Sequence, residues 1–231
     1  MRCRHAIVPA MNLFPINLDI RDKLAVVVGG GAVAERKCRS LLEAEAAVTV
    51  VAPVISSGLE ELRRDSKISV LPRPYLAGDL TGALLIFAAT DSPAVNRAVA
   101  EEAKRLGIPV CVADAPAEGT FTSPSVVRRG DLLLAISTGG RSPALARRIR
   151  QDLEALYGPE FSAIVDIVGM FREKLLTEGR ESAYINHLFS ELLTGDLSRL
   201  LNPSDRERLF GAISNPDPER TTRPPDTEES S

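Results

Sequence analysis

The sequence is poor in the residues that build metal centres and disulfides: it has three cysteines, two histidines and no tryptophan among 231 residues. Cys3, Cys38 and Cys111 are far apart and odd in number. Together with His5 and His187 they form no spacing typical of a metal site. We therefore expect reduced thiols and no bound metal.

Long hydrophobic runs are also absent. No apolar stretch comes near the roughly 18 residues that a membrane-spanning helix needs, so a membrane protein is not expected. The N-terminal "MRCRHAIVPAMNLFPI" has two arginines but no apolar stretch of signal-peptide length. These features predict a cytoplasmic protein. Residues 1–10 show no periodicity, and we expect them to be dispensable, with translation starting at either Met1 or Met11.

The charge is small overall and unevenly distributed. The net charge is −3, which gives no general attraction to nucleic acid. Residues 214–231 are rich in proline and acids and lack large apolar side chains, which predicts a disordered tail. Between Phe121 and Arg150, six arginines face a single acid, Asp131. An anionic ligand is the natural partner for such a segment.

Five short apolar runs, rich in β-branched residues, alternate with helical patterns in the first half of the chain. Continuous apolar runs of this length are typical of strands buried on both faces of a parallel sheet. The runs are residues 24–28, 47–51, 68–71, 83–89 and 108–113. Between them, residues 34–44 have helical periodicity, and a second helix follows Ser92 as N-cap and ends at Gly107. The pattern predicts a doubly wound, Rossmann-type α/β fold.

The pattern changes after Asp114. Two strands are predicted around an Arg129-Gly130-Asp131 turn, and a helix is predicted with Ser142 as N-cap and Pro143 at its first position. From Pro159 onward only helical periodicity remains. We therefore divide the chain into a nucleotide-binding domain (11–122), a strand-helix segment (123–157), a helical C-terminal domain (158–213) and the tail (214–231).

A glycine-rich turn joins the first predicted strand to the first helix. Gly29, Gly31 and Ala34 match the G-x-G-x-x-G/A spacing of dinucleotide-binding folds. In that motif the first glycine permits a tight turn and the second admits a pyrophosphate to the backbone, while the small third residue lets the helix pack on the strand. The predicted cofactor-binding residues of this loop are Gly29, Gly30, Gly31, Ala32 and Val33. The alternative is a tight turn with no ligand.

One part of this dinucleotide fingerprint is missing. The second strand normally ends in an acid that binds the adenosine ribose. Here it is followed by Ala52, Pro53 and Val54. We expect backbone groups near Pro53 and Val54 to hold the ribose and adenine, and side chains alone do not separate NAD from NADP.

Four segments together resemble the precorrin-2 dehydrogenase family, the N-terminal module of siroheme synthases, from about Met11 to Gly158. They are "FPINLDIRDKLAVVVGGGAVAERK", "AATDSPAVN", "VCVADAP" and "FTSPSVVRRGDLLLAISTGGRSPALARRIRQDLE". The resemblance implies NAD-dependent oxidation of precorrin-2 to sirohydrochlorin, on the route to siroheme or cobalamin, by a homodimer. The strand-helix segment would then serve dimerisation. Some members of the family also insert iron.

Asp114 and the pair Thr90–Asp91 follow predicted strands, at the edge where open α/β sheets bind ligands. Asp114 either forms an Asx-turn in "DAPAEG" or acts chemically. The resemblance aligns it with an aspartate of the family that serves as general base or handles metal, so we predict it to be catalytic. Thr90 and Asp91 are predicted to border the cofactor, with helix capping as the alternative for Asp91.

Arg141 lies in "STGGRSP", a glycine-bearing loop at a helix start, where backbone N–H groups and a guanidinium can address one carboxylate. We predict that Ser137, Thr138, Arg141 and Ser142 bind the carboxylates of the tetrapyrrole. A solvated helix face is the simpler interpretation of Arg147, Arg148 and Arg150. The resemblance aligns Ser137 with a serine that the family can carry phosphorylated.

Two other functions stay open from the sequence. The first is a bifunctional enzyme that also inserts iron into sirohydrochlorin in the same cleft. The second is a non-catalytic nucleotide-sensing module, which would share the glycine fingerprint. Such modules normally keep the ribose-binding acid that is missing here, and they do not need the arginine-rich loop.

Overall fold

The computed structural model describes residues 13–179, 186, 189, 197–205 and 207. The first ten residues, the predicted tail and much of the predicted helical C-terminal domain lie outside this range. The chain forms two compact units: one runs to Pro124 and includes Ser137–Pro143, and the other comprises Ser125–Ile136 and the residues from Ala144 onward. The domain boundaries drawn from the sequence stay predictions.

The first unit is built on a five-stranded parallel sheet. Its strands are β1 (Leu24–Val28), β2 (Ala47–Val51), β3 (Ile68–Leu71), β4 (Leu85–Ala88) and β5 (Val110–Val112). Their order is β3-β2-β1-β4-β5 and all pairs are parallel. The predicted Rossmann-type sheet is therefore confirmed. The chain crosses from one side of β1 to the other between β3 and β4, which makes the carboxyl ends of β1 and β4 the switch point of the sheet.

β4 and β5 are shorter than the apolar runs predicted for them. Ala83 and Ile108, at the ends of those runs, pack against the core formed with the sheet but belong to neither strand. An apolar run marks buried residues, and these continue beyond the last residues that pair within the sheet.

Helices cover both faces of the sheet. α1 (Ala32–Glu43) and α2 (Ser57–Arg64) bury Cys38, Leu41 and Leu59 on one face, and α3 (Pro93–Leu106) buries Val99 and Ala103 on the other. Along β1, Ala25 and Val27 face the first core while Val26 and Val28 face the second. This alternation explains why the strands are apolar without a break.

The caps of α3 are those expected from the sequence. The Oγ of Ser92 accepts a hydrogen bond from the N–H of Val95 at 3.5 Å, and Gly107 ends the helix in the left-handed region at φ 70°. α2 was not anticipated, although Ser56 caps it through the N–H of Leu59 at 3.3 Å. Only Leu59 and Leu62 of its eight residues are buried, so the segment offers few apolar positions from which to recognise a helix.

α3 carries the two buried polar side chains of the described chain, Asn96 and Glu102. The Glu102 carboxylate accepts hydrogen bonds from the Tyr75 hydroxyl and from the N–H of Gly78, the latter at 2.8 Å. Burial, with Glu102 as a further cause, raises the pKa of Tyr75. Glu102 thus attaches the loop after β3 to α3, closer to the C-terminal end of the helix than Asn96.

The second unit contains the predicted hairpin. β6 (Ser125–Arg129) and β7 (Leu132–Ile136) pair antiparallel around Gly130, whose φ of 56° suits a glycine. α4 (Pro143–Leu156) begins at the predicted proline, and α5 (Glu160–Thr177) packs against a short 3-10 helix, Leu197–Leu201. No helix in the described part of the chain combines the length and the apolarity needed to cross a bilayer.

Candidate functional site

Gly29 brings the carboxyl ends of three strands together. It is buried, its φ is 132°, and its N–H donates to the Val51 carbonyl of β2 at 3.0 Å. A Cβ at this position would overlap the Ala89 carbonyl, just after β4. Only a glycine allows β1 to turn this close to both neighbours.

Gly30 holds the segment after β2. A Cβ here would overlap the carbonyl of Val54, and the Gly30 carbonyl accepts the N–H of Ser56 at 2.8 Å. Pro53 and Val54 are both exposed, with Val54 80% exposed. The structure therefore brings these two predicted ribose-side residues against the glycine loop.

Gly31 differs from both neighbours, because a Cβ on it would meet no protein atom within 4 Å. It is the N-cap of α1, has an ordinary φ of −88°, and offers no side-chain cap. The four N–H groups from Gly31 to Ala34 donate to no acceptor in the described part of the chain. Protein packing thus gives no reason for a glycine here.

This open helix start suits an anion. Unpaired N–H groups and the positive end of the helix dipole both favour negative charge. Ala32 and Val33 of the first turn are exposed, while Ala34 is fully buried against the sheet, as the third position of the motif requires. The residues present therefore fit the pyrophosphate of a dinucleotide, which the backbone of Gly31 could approach without hindrance.

Glu35 is the one acid in the first turn of α1, and its carboxylate is bound by other side chains. Glu35 accepts hydrogen bonds from the Ser56 Oγ at 2.7 Å and from the Arg39 guanidinium at 2.8 Å. These two donors, Ser56 first, lower the pKa of the Glu35 carboxyl. Glu35 ties α1 to the cap of α2, and Arg39 offsets its charge near the anion site.

Thr90 and Asp114 share a hydrogen-bond partner, Asn96, which was not predicted to belong to the site. Asn96, on the first turns of α3, donates from its Nδ2 to the Thr90 carbonyl at 3.0 Å and to the Asp114 Oδ1 at 2.9 Å. Its Oδ1 accepts from the Thr90 N–H at 3.1 Å and from the Thr90 Oγ1 at 2.7 Å. The ends of β4 and β5 are joined by one amide.

The Asp114 carboxylate is exposed, and the residue lies just after β5, at the same edge of the sheet as the glycine loop. Among the described residues, no backbone N–H donates to it, so the Asx-turn interpretation is wrong. The 3-10 turn that follows, Pro116–Glu118, is closed by backbone bonds, and its Glu118 carboxylate accepts a hydrogen bond from the Arg97 guanidinium of α3 at 3.4 Å. Asp91 is exposed, and the capping role considered for it is wrong because Ser92 caps α3.

A cavity of about 220 Å³ borders the end of β2. Ala52 and Pro53 line it together with Val70, Glu60 and Arg63. Arg63 donates two hydrogen bonds to the Glu60 carboxylate, at 2.6 Å and 2.9 Å, and these bonds lower the pKa of Glu60. Arg63 was not predicted to lie near Pro53, because it comes from α2, a helix that was not predicted.

The loop from Ser137 to Ser142 is organised by its own hydroxyls. The Ser137 Oγ accepts the N–H of Gly139 at 3.2 Å, and the Thr138 Oγ1 accepts the N–H of Ser142 at 3.1 Å. Gly139 and Gly140 have φ values of 59° and 78°. The hydroxyls of Ser137 and Thr138 donate to none of the residues that the structure describes. The side chain of Arg141 is exposed and forms no ion pair or hydrogen bond with any described residue.

The other arginines of the basic segment differ in their partners. Arg148 and Arg150 pair with Asp152 and Glu154 one turn along α4, so the interpretation as a solvated helix face suits them. Arg129 donates to the carbonyl of Tyr157 at 2.9 Å. Arg147 is exposed and forms no ion pair within the described residues.

The described residues contain no group of three or more His, Cys, Asp or Glu side chains arranged for a metal ion. Cys38 and Cys111 are free and buried. Burial raises the pKa of the Cys38 thiol to about 12, so it stays protonated near neutral pH.

Two family models match the chain. One is described as NAD(P)-binding and matches residues 16–125; the other, described as sirohaem biosynthesis protein central, matches residues 129–156. Together they cover more than half of the chain.

Curated relatives include three siroheme synthases. That of Nitrosospira multiformis is 38% identical over 195 residues, covering 83% of this chain and 41% of the relative. That of Methylobacillus flagellatus is 42% identical over 163 residues (71% and 35%), and that of Methylococcus capsulatus is 39% identical over 203 residues (87% and 43%). The chain spans less than half the length of these relatives.

Among solved structures, SirC, a precorrin-2 dehydrogenase, superposes with a TM-score of 0.70. It is 28% identical in sequence, and the match covers 87% of this chain and 99% of that one. The likeness to this structure therefore extends well beyond the nucleotide-binding sheet.

The contrast between Gly30 and Gly31 gives a test of the cofactor loop. Gly31→Val should keep the thermal stability of the protein but abolish binding of NAD(P), because the new side chain fills only the space open to the pyrophosphate. Gly30→Ala is the matched variant and should lower stability, because its Cβ overlaps the Val54 carbonyl. Calorimetry with NAD and thermal unfolding measure both effects. Wild-type affinity in Gly31→Val would mean that the glycines are structural only.

Proposed function

This chain belongs to the precorrin-2 dehydrogenase family, the N-terminal module of siroheme synthases, and we propose that it oxidises precorrin-2 to sirohydrochlorin with NAD. One observation carries the proposal: the open helix start at Gly31 lies at the same sheet edge as the exposed carboxylate of Asp114. A dinucleotide site and a base at one edge are what the removal of a hydride and a proton requires.

Bound NAD would supply the hydride acceptor, and the chain supplies binding, orientation and a base. The N–H groups of the first turn of α1, from Gly31 onward, hold the pyrophosphate. Backbone groups at Pro53 and Val54 face the adenosine side, and Thr90 and Asp91 border the cofactor at the end of β4. The proton that leaves the tetrapyrrole passes to the Oδ2 of Asp114, the carboxylate oxygen that has no partner among the described residues.

Substrate carboxylates are bound by the loop of Ser137, Thr138, Arg141 and Ser142. Support comes from the guanidinium of Arg141 and the hydroxyl protons of Ser137 and Thr138, which have no acceptor among the described residues. A guanidinium can donate two parallel hydrogen bonds to one carboxylate, which gives both affinity and orientation.

NAD is preferred over NADP because Glu60 and Arg63 form an ion pair beside Pro53. A 2′-phosphate is usually received by an arginine near the end of the second strand. Arg63 borders that place but is neutralised by Glu60, whose carboxylate would also repel a phosphate. The selectivity for NAD is thus set by Glu60 and Arg63 of α2, since the acid that usually follows the second strand is missing.

The enzyme is proposed to be a cytoplasmic homodimer that acts in siroheme biosynthesis. The comparisons favour a dehydrogenase over a nucleotide-sensing module. No observation favours the alternative of added iron insertion, and it is not part of the proposal.

Asp114→Asn tests the base. Asparagine can still accept the hydrogen bond from Asn96, so folding and NAD binding should be kept. Turnover at saturating NAD and precorrin-2 should fall by about 10² to 10⁴-fold, the usual contribution of a general base. Glu118→Gln, a carboxylate change in the following turn, is the control and should keep full turnover. Asp114→Asn activity within about twofold of wild type would contradict the assignment.

Arg141→Ala tests the substrate loop. The lost charged contact should raise the Michaelis constant for precorrin-2 by roughly tenfold and leave the dissociation constant for NAD unchanged. Arg148→Ala, which removes an arginine already paired with Asp152, is the matched control and should change neither value. Equal weakening of both ligands by Arg141→Ala would indicate a structural role instead.

Glu60→Gln tests cofactor selectivity. Without the carboxylate, Arg63 is free to meet a 2′-phosphate, so affinity for NADP should rise severalfold while affinity for NAD stays constant. The gain should vanish in Glu60→Gln/Arg63→Ala, and Glu61→Gln, an exposed neighbour on α2, should show no gain. If wild-type protein binds NADP as tightly as NAD, or if Glu60→Gln leaves the ratio unchanged, the pair does not set selectivity.

A further inference from the structure

We propose that Asn96 is a positioning residue for the reaction: it fixes Asp114 against the cofactor edge and leaves one carboxylate oxygen free to take the proton. The inference rests on the proposed function, since it assigns a residue that acts through the base. Neither the dinucleotide motif nor the "DAP" segment points to it.

The contacts of Asn96 define the orientation of its amide without ambiguity. The backbone N–H of Thr90 can only donate, so the side-chain oxygen of Asn96 must face it at 3.1 Å. The amide nitrogen then faces the Thr90 carbonyl and the Asp114 Oδ1, both of which accept. A flipped amide would oppose like groups at three of these contacts.

Burial makes these bonds strong and specific. Asn96 is 1% exposed, and its side-chain oxygen and nitrogen are both hydrogen-bonded. A buried amide that loses a partner bears the full cost of desolvation, so the network resists rotation of any of its members. Asp114, although exposed itself, is thereby anchored to a rigid helix.

The anchor acts on one oxygen only. Asn96 donates to the Oδ1 of Asp114, and the Oδ2 has no partner among the described residues. A carboxylate held at one oxygen has a defined plane, and its second oxygen keeps a fixed direction from which to accept a proton. A displacement of about 1 Å in such a group can cost about 10²-fold in rate.

Asn96 also connects the base to the cofactor side. Its oxygen accepts from both the N–H and the Oγ1 of Thr90, next to the Ala89 carbonyl on which Gly29 packs. One side chain therefore sets the spacing between the end of β4, where the cofactor is expected, and the end of β5, where the base lies.

Asn96→Asp is the sharpest test, because aspartate is isosteric and keeps the acceptor for Thr90 but turns a carboxylate oxygen toward Asp114. Turnover should fall by about 10-fold to 100-fold, with the dissociation constant for NAD unchanged. Asn96→Ser removes the amide without adding charge and should lower turnover as well. Glu102→Gln is the matched control: it changes the other buried polar residue of α3, and it should keep turnover even if it lowers the melting temperature.

Two double-mutant cycles with Asp114→Asn separate the effect of the Asn96–Asp114 hydrogen bond on stability from its effect on turnover. In thermal unfolding, Asn96→Asp/Asp114→Asn should recover part of the stability lost in Asn96→Asp, because amide and carboxylate have exchanged places. In turnover, Asn96→Asp should cost nothing further once Asp114 is asparagine, since the group it positions is already gone.

The outcomes distinguish this proposal from the proposed function. Wild-type turnover in both Asn96 variants, or no coupling in the unfolding cycle, would overturn the positioning role even if Asp114 is the base. Full activity of Asp114→Asn would refute the base assignment and the positioning role together. A further loss of turnover when Asn96→Asp is added to Asp114→Asn would show that Asn96 supports the fold alone.

Discussion

The close approach of backbone to backbone at Gly29 and Gly30 is the constraint on which the rest of the site depends. β1 can turn between its two neighbours only because neither residue carries a Cβ. That turn places the start of α1 against the ends of β2 and β4, with Gly31 left open. Helix dipole, unpaired N–H groups and space for an anion then occur at one point without any charged side chain.

Much of the first unit could be read from the sequence, because its signals are local. Five apolar, β-branched runs marked the strands, and Ser92, Pro93 and Gly107 marked the ends of α3. The glycine spacing located the anion site for the same reason. It is a property of a single turn, and its steric logic needs no distant partner.

The parts that were missed depend on contacts between elements distant in sequence. Asn96 reads as one polar residue of an amphipathic helix, and only the fold brings it to Asp114, 18 positions away. Arg63 reaches the region of Pro53 from a helix of eight residues that has only two buried apolar positions to mark it in the sequence. The sequence left two roles open for Asp114, an Asx-turn and a catalytic base, since an aspartate in a loop after a strand can serve either. Its hydrogen bonds, and not its neighbours in sequence, exclude the turn.

In the proposed function, one sheet edge joins a dinucleotide site to a base for oxidation of a tetrapyrrole. To test this function, purified protein is incubated with NAD and enzymatically made precorrin-2, and NADH and the product spectrum are recorded together. The account predicts the spectrum of sirohydrochlorin, with NADH formed in a fixed ratio to it, and no such reaction when NAD is left out. Protein that binds NAD but leaves precorrin-2 unchanged would contradict the account and favour a nucleotide-binding module without catalysis.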